Sequence, residues 1–243
     1  MRTQYTSKEL FHFVGHNHPN DDERNFEKLK NILSDCCVSH YPHENNWGAV
    51  SHKVYWDKSL IKEELIVPTV TCYADIPWDS LSIHVEKYGR FGLSLPKDLL
   101  IKYGARPVMY IPMRHDDWAG KSGETLLKDL EAVYKGYHEQ VSSKLTNFNG
   151  VSSRSLGKVP NTEHEAIEAI ESVFVKDLLG YIKPFNSHLD ERHSDNFYME
   201  REWRKLGNMK FSPDDVCKVI IAEGYLDRMK KTFPYYADRI KEI

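Results

Sequence analysis

Cysteine is scarce: four in 243 residues, too few and too unevenly placed for a disulfide scaffold. Cys36 and Cys37 are adjacent, which is neither the Cys-x-x-Cys spacing of a metal knuckle nor that of a redox pair. With Cys72 and Cys217 they read as reduced structural thiols. No apolar run approaches the ~18–20 residues that cross a bilayer, and Met1-Arg2-Thr3-Gln4-Tyr5 does not open as a signal peptide. A soluble, cytoplasmic protein with no membrane contact is expected. Charge of one sign is also lacking. Lys and Arg number 33 against 36 Asp and Glu, a formal net charge of −3, which disfavours a general nucleic-acid coat. There is no internal repeat and no low-complexity tract. The Gly-x-x-x-x-Gly-Lys-Ser/Thr phosphate loop, the Gly-x-Gly-x-x-Gly dinucleotide fingerprint and the Gly-x-Ser-x-Gly nucleophile elbow are all missing, which excludes the enzyme classes built on them.

Present are enough apolar residues (40%) to build a core and enough charged ones (28%) to keep the chain soluble. Aromatics make up 12%, including 14 tyrosines, beside 12 histidines, an enrichment that suits a ligand pocket. Leu10-Phe11-His12-Phe13-Val14-Gly15 reads as a strand closed by glycine. Asp21–Asp35 reads as a helix, acidic at its start, with Phe26, Leu29, Ile32 and Leu33 on one face. Residues 38–64 have no steady period. Strands follow at Ile66–Tyr73, interrupted by Pro68, and at Phe91–Leu95 and Pro107–Pro112, with short helices ending at Gly89 and Gly104 between them. Two long helices are expected at Gly123–Asn147 and Thr162–Tyr181. The first would bury Leu126, Leu130, Val133, Tyr137, Val141 and Leu145. The second opens on the capping box Thr162–Glu165 and would bury Ile167, Ile170, Phe174 and Leu178. Strands at Asn196–Arg204 and Val216–Ala222 and a basic C-terminal helix complete the chain. Parallel βαβ alternation is not expected, so the fold class is α+β: a mixed sheet with flanking helices, one domain over 1–243, and a helical insert at about 122–185.

The clearest candidate for chemistry is Tyr198-Met199-Glu200-Arg201-Glu202-Trp203-Arg204. As a strand it would line Tyr198, Glu200, Glu202 and Arg204 on one face, either as a polarising ligand surface or as Glu–Arg pairs on an exposed strand. His12 is either a satisfied core or edge histidine or a ligand. His16 and His18 with Asp21 or Asp22 suggest a metal, but no second ligand segment is visible and no metal is expected. Arg228, Lys230, Lys231, Arg239 and Lys241 make either a solvated face or a surface for an acidic partner or a nucleic acid, the nucleic acid being the less favoured.

Four segments in order are Leu10–Gly15, Cys72-Tyr73-Ala74-Asp75-Ile76-Pro77, Tyr88-Gly89-Arg90-Phe91-Gly92-Leu93-Ser94 with Pro107-Val108-Met109-Tyr110, and Glu200–Arg204. Together they resemble the AbiGi family of bacterial abortive-infection, phage-resistance proteins. That resemblance implies phage defence, an antitoxin of a toxin–antitoxin system, and therefore a partner toxin. A looser likeness, in the order early His, middle Tyr and late Glu, is to DarT-like ADP-ribosyltransferases, and it implies an ADP-ribosyltransferase-like fold using NAD. Under that likeness His12 would hold the adenosine ribose, and Tyr88 would stack on nicotinamide. Arg90, Arg106 or Arg114 would neutralise the pyrophosphate. Glu202 or Glu200 would stabilise the positive charge that develops on the ribose. The two implied functions are a binding protein that neutralises a toxin and, as the alternative, an NAD-dependent transferase or glycohydrolase.

Overall fold

The computed structural model describes residues 7–40, 52–113, 118–141, 159–190, 192–193 and 195–243. The first half of the chain forms β1 (Glu9–Phe13), α1 (Asp22–Asp35), β2 (Cys37–Val38), β3 (His52–Val54), β4 (Ile66–Pro68) and β5 (Val70–Ala74). It continues with α2 (Ser82–Tyr88), β6 (Gly92–Pro96), α3 (Lys97–Lys102), β7 (Arg106–Pro107) and β8 (Met109–Met113). The second half contains α4 (Trp118–Val141), α5 (Glu163–Ile170), β9 (Ile182–Asn186), β10 (Glu202–Leu206) and β11 (Met209–Lys210). It ends with β12 (Lys218–Ile221), α6 (Leu226–Thr232) and β13 (Ile240–Glu242). This is a mixed α+β fold, as its sequence pattern implies.

Two compact units result. The first comprises Met1–Trp47, Val70–Pro107 and Glu191–Ile243, and the second Gly48–Thr69 and Val108–Asp190. The first unit holds a seven-stranded sheet in the order β13-β12-β6-β1-β5-β10-β7, and β2 pairs with β11 beside it. All neighbours in the large sheet are antiparallel except β12 and β13, which run parallel across the α6 connection. A βαβ unit is therefore present in this sheet, and β8 with β9, joined through α4 and α5, is a second parallel pair, where no parallel βαβ pairing was expected. The first arises because the basic C-terminal segment is not one helix. α6 stops after seven residues, Pro234–Arg239 turns as a 3₁₀ helix, and β13 returns to the sheet.

Register decides what each sheet face carries. Leu10 lies opposite Leu95, and Leu93 lies opposite both His12 and Val219. This face packs on α1 through Phe26, Leu29 and Leu33 and on α6 through Met229. α1 forms where its apolar spacing places it, with the Asp21 carboxylate accepting from Arg24 N–H as N-cap. On the other face Phe11, Phe13, Ala74 and Ile220 pack under Ile76, Leu81, Val85 and Tyr88, the stretch leading into and along α2. Arg228 closes α6 on α1 by bidentate bonds to Glu23 and by its stacking over Phe26, so this basic side chain is spent within the fold.

The second unit contains the two-stranded sheets β3–β4 and β8–β9 and the helices α4 and α5. Pro68 ends β4 and Thr69 alone separates it from β5, so the single interrupted strand expected there is two strands in different sheets. The apolar stripe of α4 is rotated from its expected position. Leu127 and Tyr134 are fully buried and Leu130 and Tyr137 partly so, whereas Leu126 and Val133 face solvent. Leu145 lies outside the described residues. α5 is capped by Thr162, which accepts from Glu165 N–H, while the Glu165 carboxylate accepts from Asn161 N–H. The helix then continues in π form over Glu171–Leu178, and Glu171 and Val175 follow Ile167 into the core, whereas Ile170 is exposed and Leu178 only partly buried.

Glu171 is 93% buried and accepts from the Tyr134 hydroxyl at 3.3 Å, while its second carboxylate oxygen has no hydrogen-bond partner. Burial raises its pKa above 4.5, only partly offset by the Tyr134 bond. A raised folded pKa means that the folded state holds the proton more tightly. Stability then falls as pH rises from about 4.5 through the folded pKa. Glu171→Gln should be more stable than wild type at neutral pH, with the difference closing as the pH drops to about 4.5. Urea denaturation across that range checks it.

Candidate functional site

The polar cluster of the first unit forms where α2 meets the turn leading into β10. Gly89 ends α2 with a φ of +81°, and Gly15 at the end of β1 donates its N–H to Tyr88 C=O at 2.8 Å. A Cβ on Gly15 would stand 2.3 Å from that carbonyl oxygen, so only glycine permits the approach. Tyr88 is held by this contact, with its ring stacked on His16 at 5.4 Å and packed on His84 at 4.4 Å. Its hydroxyl donates a short hydrogen bond to Glu200 Oε1.

The segment 196–201 departs from the expected strand. Tyr198–Glu200 is a 3₁₀ turn, and Arg201 adopts the left-handed region at φ 47°. Asn196 Oδ1 accepts from Tyr198 N–H, Asn196 C=O accepts from Lys87 Nζ at 2.8 Å, and Arg201 C=O accepts from Asp75 N–H. Side-chain and loop partners for the backbone compete here with the ladder, and the strand begins only at Glu202. Glu200 and Glu202 therefore belong to different elements, although both are buried.

Glu202 lies opposite Ala74, and Arg204 lies opposite Cys72. Arg204 Nε bonds Glu202 Oε1 at 2.7 Å, both side chains being at most 10% exposed. Ala74 also lies opposite Phe11, so Phe11, Ala74 and Glu202 share one face. His12, the next residue along β1, is on the other face with Tyr73, whose ring is 5.7 Å away. His12 Nδ1 is 2.9 Å from Cys72 C=O. A carbonyl only accepts, so Nδ1 carries the proton and Nε2 is the free acceptor of the neutral ring. Burial lowers the His12 pKa, partly offset by that bond.

Of the expected site residues, the fold brings Tyr88 and Glu200 into contact and places Glu202 near enough to act on the Tyr88 hydroxyl. It does not bring His12 to the face of Glu202. Arg90 is half-exposed and ion-paired with Asp22 at the start of α1. Arg106 lies opposite Arg204 on the edge pair of β7 with β10, and Arg114 lies outside the described residues. Among the described residues no group of three or more His, Cys, Asp or Glu side chains is placed to hold a metal ion, and no helix is long and apolar enough to cross a membrane.

Burial first, and then the Glu200 carboxylate, push the Tyr88 phenol far above its usual range, with Glu202 adding to the effect. Tyr88 is therefore a hydrogen-bond donor and not a base. His84 is a member that sequence reasoning missed. It sits one helical turn before Tyr88, with its ring 5.0 Å from Phe13 and 4.4 Å from Tyr88, and the His-x-x-x-Tyr spacing on a helix was the available signal. Burial, then Lys87 and His12, push its pKa down from 6.5 to about 3. The cluster is an internally paired network around a buried, neutral His84, suited to holding the α2 end and the 196–201 turn in one geometry.

Two outcomes are expected. Tyr88→Phe leaves the buried Glu200 oxygen without that donor and should lower unfolding free energy by about 1–3 kcal/mol, measurable by urea denaturation. The depressed His84 pKa means that the unfolded chain binds its proton more readily. Stability should therefore fall as pH drops from 6.5 towards about 3. In NMR titration the His84 ring shifts should stay flat from about pH 8 to 5.

The structure can now be set beside known proteins. Neither the curated proteins nor the solved structures contain a match to the chain. A family model described as "Putative abortive phage resistance protein AbiGi, antitoxin" matches residues 51–233, three quarters of the sequence. The chain belongs to the AbiGi family of abortive phage resistance antitoxins.

Proposed function

We propose that the chain acts as an antitoxin-type binding protein that neutralises a partner toxin by direct contact. Family membership over residues 51–233 carries this reading. The paired state of the buried carboxylates supports it. Glu202 is taken up by Arg204 and Glu200 by Tyr88, which is what a rigid binding scaffold needs and what a carboxylate poised for a developing cation does not.

A second reading, an NAD-dependent ADP-ribosyltransferase or NAD glycohydrolase, draws on one observation, the contact of Tyr88 with Glu200. The residues that would hold NAD are divided. His12 is on the sheet face opposite Glu202, and Arg90 is engaged by Asp22. That division of the candidate residues between the two sheet faces favours the antitoxin reading over a nucleotide site.

Co-expression in a bacterial host separates the two readings. The wild type and Glu202→Gln should be equally harmless alone, and the wild type should restore growth when the toxin encoded beside it is induced. Killing by the wild type alone, abolished in Glu202→Gln, would sink the antitoxin reading. NAD in excess should leave the unfolding midpoint unchanged. A ligand at ~100 times its Kd would add about 2.7 kcal/mol and raise the midpoint by roughly 5–10 °C.

A further inference from the structure

The helices of the second unit show a surface that its own packing does not explain. α4 and α5 are neighbours: the Tyr134 hydroxyl bonds Glu171, the Tyr137 hydroxyl bonds Ile167 C=O, and the rings of Tyr134 and Phe174 lie 6.4 Å apart. Yet each leaves apolar side chains in solvent. On α4 these are Leu126 at 46% and Val133 at 63% exposure; on α5 and its π continuation they are Ile170 at 40% and Val173 at 47%. Leu126 and Val133 are seven residues apart and so lie on one helix face.

Three residues beyond Val133 is Gly136, in the interior of α4. Glycine weakens a helix interior relative to any ordinary residue. Among the described residues nothing lies within 4 Å of where its Cβ would stand, and no positive φ calls for it. Among the described residues nothing in the fold calls for a bare backbone there. A second chain approaching closely beside Val133 does.

Charge indicates what that second chain carries. α4 and residues 159–178 hold four lysines, Lys121, Lys128, Lys135 and Lys176, against eight Asp and Glu residues besides the buried Glu171. The acidic excess of the whole chain, −3, is smaller than that of these two segments alone. Two copies of such a surface repel each other, whereas a basic segment is attracted to it.

We propose that the exposed face of α4 around Leu126, Val133 and Gly136 docks a basic segment of the toxin that carries its own apolar stripe. The inference rests on the antitoxin reading and adds the surface and the chemistry of the partner. The apolar side chains supply burial, Gly136 admits the incoming backbone, and the surrounding carboxylates steer and orient it.

The test uses the full chain and the purified toxin encoded beside it, with Val133→Asp and Gly136→Gln as variants. Val133 is in solvent and Gly136 has open space, so neither change disturbs the core. Gly136→Gln should raise the unfolding midpoint by roughly 2–3 °C, since it replaces a helix-interior glycine. Both variants should bind the toxin at least about tenfold more weakly by calorimetry, and wild-type affinity should fall as salt is raised. Wild-type affinity in both variants would overturn this surface and leave the antitoxin reading standing. Failure of the wild type to bind would overturn both. Affinity indifferent to salt would overturn the basic partner. A wild-type dimer in sedimentation, broken by Val133→Asp, would make the occupant a second copy and overturn the proposal.

Discussion

The pairing of β5 with two neighbours constrains everything around the polar cluster. Ala74 stands opposite Phe11 on one side and Glu202 on the other. Because side chains alternate along a strand, that alignment assigns every residue of β1, β5 and β10 to a face. It puts Phe11 and Phe13 under α2 and Leu10 over α1, and gives Glu202 and Arg204 a common side on which to pair. It also sends His12 to the α1 side. A slip of β1 by one residue would send Phe11 and Phe13 to the α1 side and Leu10 under α2, mismatching both cores, so packing holds the register, and the position of His12 follows from packing rather than from chemistry.

The regular parts of this fold are legible in the sequence because a local rule and the burial pattern agree. Asp21 caps α1, and Phe26, Leu29, Ile32 and Leu33 all go into the core. Gly89 ends α2, and the alternation in β6 places Leu93 and Leu95 in the α1-side core. Where the reading departs, a non-local partner has won. The Asn196–Arg204 stretch alternates like a strand, but the Asn196 side chain takes Tyr198 N–H and Lys87 takes Asn196 C=O, which turns the chain before Glu202. On α4 the apolar residues span more than one face. Sequence spacing selects Leu126 and Val133, while contact with α5 selects Leu127 and Tyr134. Glu171 follows the buried Ile167 by one turn and shares its face, so its position was legible; what the sequence did not signal is that an acid there is buried.

Of the candidate site, Tyr88, Glu200 and Glu202 were readable as residue types but not as an arrangement. What the sequence could not convey is that their charges are already answered. A buried carboxylate beside a guanidinium, as in Glu202 with Arg204, contributes little net stability, because desolvation offsets most of the attraction. Losing either partner is costly, since the other remains buried and uncompensated. The same holds for Lys97 with Asp75, paired at 2.8 Å with both side chains at most 15% exposed. Such pairs specify one arrangement of strand ends and turns more than they strengthen it.

The two compact units manage polarity in opposite ways. In the first, charged groups are drawn inward and matched: Asp75 pairs with Lys97 and also accepts from Ser7 N–H, and Glu9 pairs with Lys218. In the second, Glu171 is buried with one oxygen unmatched, while Leu126, Val133, Ile170 and Val173 stand in solvent. Apolar groups left outside and an acid left inside both reduce the stability of an isolated unit. A near-neutral total charge hides this division, because the acidic helices are balanced by the rest of the chain. A binding protein is where such local losses persist, since a surface optimised only for the free chain has nothing left to gain when a partner arrives.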